Sequence, residues 1–144
     1  MGGVEMLPLG ILIFAVGALV VLNLWALVDA KLAVSSASRE AIRTMSESSA
    51  VESGMVSGDA AARRVISEGG RNLERFAMSW TTADGSADAR ELSRCLRLVA
   101  RASYRVPAVA VPWVGALGSV EVTAASSELV DPYRDGLPGV ACAA

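Results

Sequence analysis

The pattern of hydrophobic and polar positions divides the chain into an apolar N-terminal segment and a more polar remainder. Residues 6–28 contain no charged side chain, and as a helix they would extend about 35 Å at roughly 1.5 Å per residue. That length is enough to cross a hydrocarbon core of about 30 Å. A signal peptide would have a shorter apolar stretch behind a basic segment. Residues 7–28 are therefore predicted to form an uncleaved transmembrane helix.

The predicted helix continues beyond the membrane, because residues 29–52 contain neither glycine nor proline. Within this continuation Ala33, Ala37 and Ala41 recur every four residues and form a stripe of small side chains. Small residues let two helices approach closely, so the stripe could contact the helices of other subunits. Alanine also favours helix in any context, and the stripe could equally pack on the protein's own domain.

A second helix is predicted after a break at Gly54 and Gly58, beginning near Asp59 with Ser57 or Asp59 as its N-cap. Its apolar face follows the helical period. The residues predicted on that face are Ala62, Ile66, Gly69, Leu73, Phe76 and Trp80. Glycine costs roughly 1 kcal/mol within a helix relative to alanine, so at Gly69 and Gly70 either the helix breaks or another element packs closely against it.

The period changes to two over residues 96–106, which indicates a half-buried strand. A second strand begins after Gly118, where Val120, Val122 and Ala124 alternate with more polar residues. Two strands need a helix on their apolar face to be stable. The predicted fold class is therefore α+β: a long N-terminal transmembrane helix that extends out of the membrane, and a second amphipathic helix packed on a small antiparallel sheet. Residues 1–53 would form the anchor and membrane-proximal helix, and residues 54–144 a small extracytoplasmic domain.

Composition argues against several classes of function. The 13 basic and 15 acidic residues are dispersed along the chain, which gives no nucleic-acid footprint. The absence of histidine removes the commonest general base and metal ligand. Phosphate-binding and dinucleotide-binding glycine motifs are also missing from the sequence. We therefore expect a protein that is not an enzyme and that uses no cofactor or metal.

Cys95 and Cys142 are the only cysteines, which is too few for a tetrahedral zinc site. They allow one disulfide if the domain lies outside the cytoplasm. The closed loop would hold close to fifty residues, and its loss of chain entropy corresponds to about 4 kcal/mol. The alternative is two unrelated buried thiols.

A basic stripe on the first predicted strand consists of Arg97, Arg101 and Arg105. These side chains could bind an acidic partner or a phosphate. A solvated face, or pairing with Glu121 across the sheet, is the favoured interpretation.

Several short motifs occur in order along the chain: residues 2–8 (GGVEMLP), 28–30 (VDA), 37–43 (ASREAIR), 104–107 (YRVP) and 129–134 (LVDPYR). Together they resemble the TadE-like pseudopilins of the tight-adherence (Tad/Flp) system, which is related to type IV pili. Residues 2–8 resemble the family's entry into its membrane helix, and residues 28–30 followed by 37–43 resemble its A-x-R-E-x-x-R stretch. The last two motifs resemble late segments of the actinobacterial members.

The resemblance implies a structural minor pilin that takes part in assembly of a Tad/Flp pilus. It makes Glu5 the assembly residue, which would help to extract or register the subunit, since a carboxylate at the edge of a membrane helix is costly unless paired. The alternative is that Glu5 lies in the cytoplasmic headgroup region and has no role in assembly. Partners would be membrane lipid and other pilin or Tad assembly subunits. Family members carry a short basic leader, whereas no basic side chain precedes Glu5 here, so the sequence leaves leader cleavage open.

Topology and role each have an alternative. Lys31, Arg39 and Arg43 follow the span, and by the positive-inside rule they would place the C-terminal domain in the cytoplasm. The resemblance and the cysteines favour a single-pass protein of the cell membrane with an extracytoplasmic domain, which could also be incorporated in a surface pilus. The alternative role is an envelope accessory protein of a secretion or pilus machine that does not enter the fibre.

Overall fold

A computed structural model describes residues 6–83, 94–108, 110–111, 115–116 and 118–131. It has two helices and a small antiparallel sheet, which confirms the predicted α+β fold class. The elements in chain order are α1 (Met6–Ser46), α2 (Val51–Glu68), a 3₁₀ turn (Leu73–Arg75), β1 (Phe76–Thr82), β2 (Arg97–Pro107), β3 (Ala110–Val111), β4 (Gly115–Ala116) and β5 (Ser119–Leu129).

Helix α1 is continuous over 41 residues and has two different environments. Its first part is exposed, and its second part, from Ala30 onwards, contributes one face to the core. The helix ends at Ser46, earlier than the predicted continuation to residue 52, in a serine-rich turn over residues 47–50. Serine side chains compete for backbone hydrogen bonds and favour turns over helix interiors.

Helix α2 begins at Val51, so the predicted start near Asp59 is wrong. Its N-cap is Ala50, which makes no side-chain capping hydrogen bond. Gly54 and Gly58 lie inside the helix, and both are buried. A Cβ atom on Gly58 would lie 2.8 Å from the carbonyl oxygen of Ala41. The two glycines therefore let α2 pack closely on α1, and they do not interrupt the helix.

Helix α2 ends at Glu68, so a break is the alternative observed at Gly69 and Gly70. The predicted continuation of one helix face through Trp80 is wrong. Gly70 has a φ of 69°, a left-handed conformation that glycine adopts without strain. Phe76 and Trp80 then lie on β1, which pairs antiparallel with β2. Spacings of four residues fit both a helix face and alternate positions of a strand, so the apolar period alone could not separate the two.

The sheet has the order β1-β2-β5, and both predicted strands are confirmed in place and in antiparallel pairing. The apolar face of β2 is buried against α1, and Ala62 and Ile66 of α2 complete the same core. Short strands β3 and β4 pair within the connection between β2 and β5. The buried residues of β2 are Leu98, Ala100, Ala102, Tyr104 and Val106.

We call the unit formed by α2, the sheet and the second part of α1 the head. Because Ala30 and Met45 belong to the same core as Leu98, the membrane-proximal part of α1 is part of the head. The division suggested between residues 53 and 54 lies within α2.

Candidate functional site

The first part of α1 presents a large apolar surface. Among the described residues, α1 is the one helix long and apolar enough to cross a membrane. Phe14 and Trp25 are 77% and 71% exposed. Asn23, the polar side chain in this part, donates from Nδ2 to the carbonyl oxygen of Leu19 at 2.8 Å. An exposed apolar surface of this size indicates contact with lipid or with other proteins.

An ion pair joins the end of the apolar part to the head. Asp29 is the first charged residue after the apolar run, and its carboxylate accepts from Nη2 of Arg71. The same nitrogen donates to the backbone oxygen of Asp29 at 3.3 Å. The Arg71 side chain is only 17% exposed, whereas that of Asp29 is 58% exposed. The pair fixes the loop after α2 against α1 at the boundary of the apolar part.

A second polar contact lies two residues further along α1. The ammonium group of Lys31 donates to the backbone oxygen of Thr123, on β5. Strand β5 is an edge strand of the described sheet, and a lysine on a sheet edge discourages pairing with another chain. Lys31 therefore ties β5 to α1 and occupies one acceptor on that edge.

A third contact lies inside the core. Ser38 is fully buried, and its Oγ lies 2.8 Å from Oγ of Ser126 on β5. Ser38 also donates to the backbone oxygen of Ser35 at 3.0 Å. The contacts of Ser38 with Ser126 and of Lys31 with Thr123 show that β5 runs along α1, with its earlier residues nearer the apolar part.

The structure decides how the small-residue stripe packs. Ala37 and Ala41 are fully buried within their own chain, and Ala33 is half-buried beside the same core. Of the two interpretations of the stripe, packing on the protein's own domain is the one observed. Contacts with other subunits would therefore need a different surface of α1.

The three arginines of β2 are exposed. Arg105 lies directly opposite Glu121 in the β2–β5 register, and Arg101 lies opposite Ala125. The solvated face is thus observed, and the favoured partner for one arginine is its cross-strand neighbour.

Two predicted site residues, Glu5 and Cys142, lie outside the described residues. Cys95 is described, and it has a positive φ of 68°. Its backbone N–H donates to the carbonyl oxygen of Val130 at 3.3 Å. The chain therefore returns beside Cys95 immediately before the segment that carries Cys142. The bond between the two cysteines stays a prediction.

Metal ligands and shifted pKa values would indicate chemistry among the described residues of the head and α1. Within them no group of three or more Cys, Asp or Glu side chains could hold a metal ion. A hydrogen bond from Arg43 to Glu40 raises the pKa of the Arg43 guanidinium, and the charges of Glu40 and Glu47 act in the same direction. This exposed group simply keeps its positive charge.

Sequence reasoning missed the Asp29–Arg71 pair and the Lys31–Thr123 contact. Asp29 and Lys31 are visible in the sequence as the first charges after the apolar run. Their partners lie 42 and 92 residues away, and no local pattern connects such positions.

No family model matches the chain, and no match was found among curated proteins or solved structures.

Proposed function

We propose that the protein is a minor pilin-like subunit, similar to the TadE-like pseudopilins, that is anchored in the cell membrane by α1 and takes part in assembly of a Tad/Flp pilus. The observation that carries the proposal is the division of α1. One uninterrupted helix is exposed and apolar in its first part and forms the core of a small α+β head in its second part. The sequence motifs at residues 2–8 and 37–43 support the same family.

The exposed apolar surface of α1 would serve both states of such a subunit. Before assembly, the surface faces the hydrocarbon chains of the bilayer. In a fibre, the same surface packs against the helices of neighbouring subunits, which removes it from water at about 25 cal/mol per Å². Because Ala37 and Ala41 are buried in the head, we assign the subunit contacts to the part of α1 before Asp29.

The head would lie outside the cytoplasm, where Cys95 and Cys142 can form a disulfide. The course of the chain supports that bond, since the carbonyl oxygen of Val130 accepts from the N–H of Cys95. Eleven residues then separate Val130 from Cys142 in the sequence, which is ample length to return.

The proposal is tested by replacing Glu5, the residue that the resemblance assigns to assembly. Glu5→Ala should leave the subunit in the membrane and remove it from sheared surface fibres, since membrane insertion depends on the apolar run. Glu52→Ala is the matched control, because Glu52 is exposed on α2. Quantitative immunoblotting of both fractions measures the effect. Equal recovery of both variants in fibres would contradict the role of Glu5.

The second candidate is an envelope accessory protein that stays in the membrane. Burial of Ala37 and Ala41 within the chain favours it, because one surface predicted for contacts between subunits is occupied. Absence of the unsubstituted protein from fibres, with normal amounts in membranes, would support this candidate.

A further inference from the structure

The connection between β2 and β5 lies beside the apolar part of α1. Ala108, which follows β2, lines a groove whose other walls all belong to α1. The backbone N–H of Ala108 donates to the carbonyl oxygen of Gly118 at 3.1 Å, so the two strands are still joined at this level. The α1 residues of the groove are Leu19, Val20, Asn23, Leu24 and Leu27.

The order of contacts along α1 gives the direction of the sheet. On β5, Ser126 contacts Ser38 of α1, and Thr123 contacts Lys31. Val120 lines a groove together with Leu27 and Val28. Ala108 then meets α1 between Leu19 and Leu27. Each step towards the β2–β5 connection is a step towards the N-terminus of α1. The connection therefore points along the helix, away from the core.

Within the connection, β3 pairs with β4. Ala110 pairs with Ala116, and Val111 with Gly115. From 108 to 118 the sequence contains no charged residue. We call the described residues of this connection the apolar hairpin: Ala108, Ala110, Val111, Gly115, Ala116 and Gly118. Its base lies beside the middle of the helix segment between Leu19 and Leu27. The middle of that segment is about 9 Å before Asp29 along the helix axis, at roughly 1.5 Å per residue.

Because the base of the apolar hairpin lies beside the apolar part of α1, the bilayer cannot both contain that whole part of α1 and leave the whole head in water. If the bilayer ended before Leu19, the apolar run after Glu5 would leave only about 20 Å of helix inside it. A hydrocarbon core is about 30 Å thick. The conflict disappears if the apolar hairpin enters the membrane next to α1.

Basic side chains lie where such an insertion would need them. Arg75 and Arg105 line a groove with Pro107, Gly118 and Ser119, at the base of the apolar hairpin. Both arginines are exposed. An apolar segment bordered by basic residues is typical of surfaces that bind the membrane interface, where lipid phosphates meet the cations. Glu121 lies opposite Arg105 and is the acidic group that faces it across the strands.

We propose that the apolar hairpin is a second membrane contact of this protein: it lies in the headgroup and upper acyl region of the leaflet next to the head, and Arg75 and Arg105 contact lipid phosphates. A deeper position is excluded, because a short hairpin has unpaired backbone groups at its edges that hydrocarbon cannot satisfy. The contact fixes the head against the bilayer. It rests on α1 crossing the membrane and is independent of any role in a fibre.

The test places an environment-sensitive fluorescent amino acid at Val111 in the full-length protein, with one copy per lipid nanodisc. Matched probes are placed at Ala125, which is exposed on β5, and at Phe14, in the apolar part of α1. Lipids brominated on their acyl chains quench probes in the membrane, and iodide quenches probes in water. We expect lipid quenching at Val111 and Phe14, and iodide quenching at Ala125.

Each other outcome has a defined meaning. Iodide quenching at Val111 with lipid quenching at Phe14 overturns the hairpin contact while the anchor stands. Iodide quenching at Phe14 overturns the membrane anchor itself. With one copy in each disc, a second copy cannot shield the Val111 probe.

The arginines are tested with the same Val111 probe in discs that contain phosphatidylglycerol. In the double variant Arg75→Gln and Arg105→Gln, the equilibrium for insertion should weaken by about fivefold for each arginine, and lipid quenching should fall. The control is Arg97→Gln with Arg101→Gln, which removes the same charge from β2 further from the hairpin. Equal quenching in both double variants would remove the arginines from the proposal.

Discussion

Arg71 and Asp29 form an ion pair that joins the loop after α2 to the first charged position beyond the apolar part of α1. The arginine is mostly buried by its surroundings, and it also donates to the backbone of Asp29. The pair places the head directly at the end of the predicted membrane span. In this account the head is held at the membrane and is not carried on a free helical stalk.

Arg71→Gln should weaken the contact between α1 and the loop after α2, which we call the junction. Ion pairs with one exposed partner contribute up to about 1 kcal/mol, and loss of the backbone contact adds to the effect. Each kcal/mol of stability lost should lower the thermal midpoint of the head in detergent by about 4–8 °C. Arg64→Gln, on the exposed surface of α2, should change the midpoint little. Equal midpoints for the two variants, measured by near-UV circular dichroism, would contradict the junction.

Gly58→Ala should destabilise the head, because the added Cβ would lie 2.8 Å from the Ala41 carbonyl oxygen and from the Trp80 ring. Gly54→Ala is the matched variant, since it gains the same helix propensity of roughly 1 kcal/mol. Its Cβ would lie 3.1 Å from Cγ of Met45 and Cβ of Ser48 and 3.3 Å from the Met45 carbonyl oxygen, so these neighbours need to move by only a few tenths of an ångström. Chemical denaturation should place Gly58→Ala below Gly54→Ala by about 1–3 kcal/mol. The reverse order would mean that α1 and α2 are not packed closely at Gly58.

Ala37→Leu separates packing within the chain from contacts between subunits. Ala37 is fully buried in the head, so the larger side chain should cost about 1–3 kcal/mol of head stability even in isolated protein. Ser36→Leu, on the exposed side of the same turn, should stay within about 0.5 kcal/mol. If Ala37→Leu leaves the isolated head intact and only reduces fibre incorporation, the stripe belongs to an interface between subunits.

The elements whose hydrophobic pattern extends over ten or more residues could be predicted from the sequence. Residues 6–28 have no charge, and residues 96–106 alternate over a full strand, so both elements follow from pattern alone. The β2–β5 pairing followed from two adjacent alternating segments. These signals are local, and burial of one face is enough to explain each of them.

The start of α2 and the strand β1 could not be predicted, because tertiary packing decides both. Gly58 lowers the helix propensity of its segment by about 1 kcal/mol, and only the close approach of α1 shows why a glycine stands inside α2. Phe76 and Trp80 fit a helix face as well as a strand, and pairing with β2 selects the strand. The ion pair of Asp29 with Arg71 depends on the turn at Gly70, whose conformation follows from neither charge.

Cys142→Ser should lower the stability of the oxidised protein by up to about 4 kcal/mol, because the predicted disulfide would close a loop of close to fifty residues. The same substitution should have no effect under reducing conditions. Urea unfolding with and without reductant gives both values. A stability difference that is independent of reductant would indicate that Cys142 contributes as a buried thiol.

The most direct test of the central claim is non-reducing mass spectrometry of the protein from sheared surface fibres and, separately, from membranes. We expect the protein to be present in the fibres with Cys95 linked to Cys142. The same spectra identify the N-terminal residue of the mature chain and so the position of Glu5 within it. Recovery from membranes only, with both thiols free, would contradict an external pilin-like subunit.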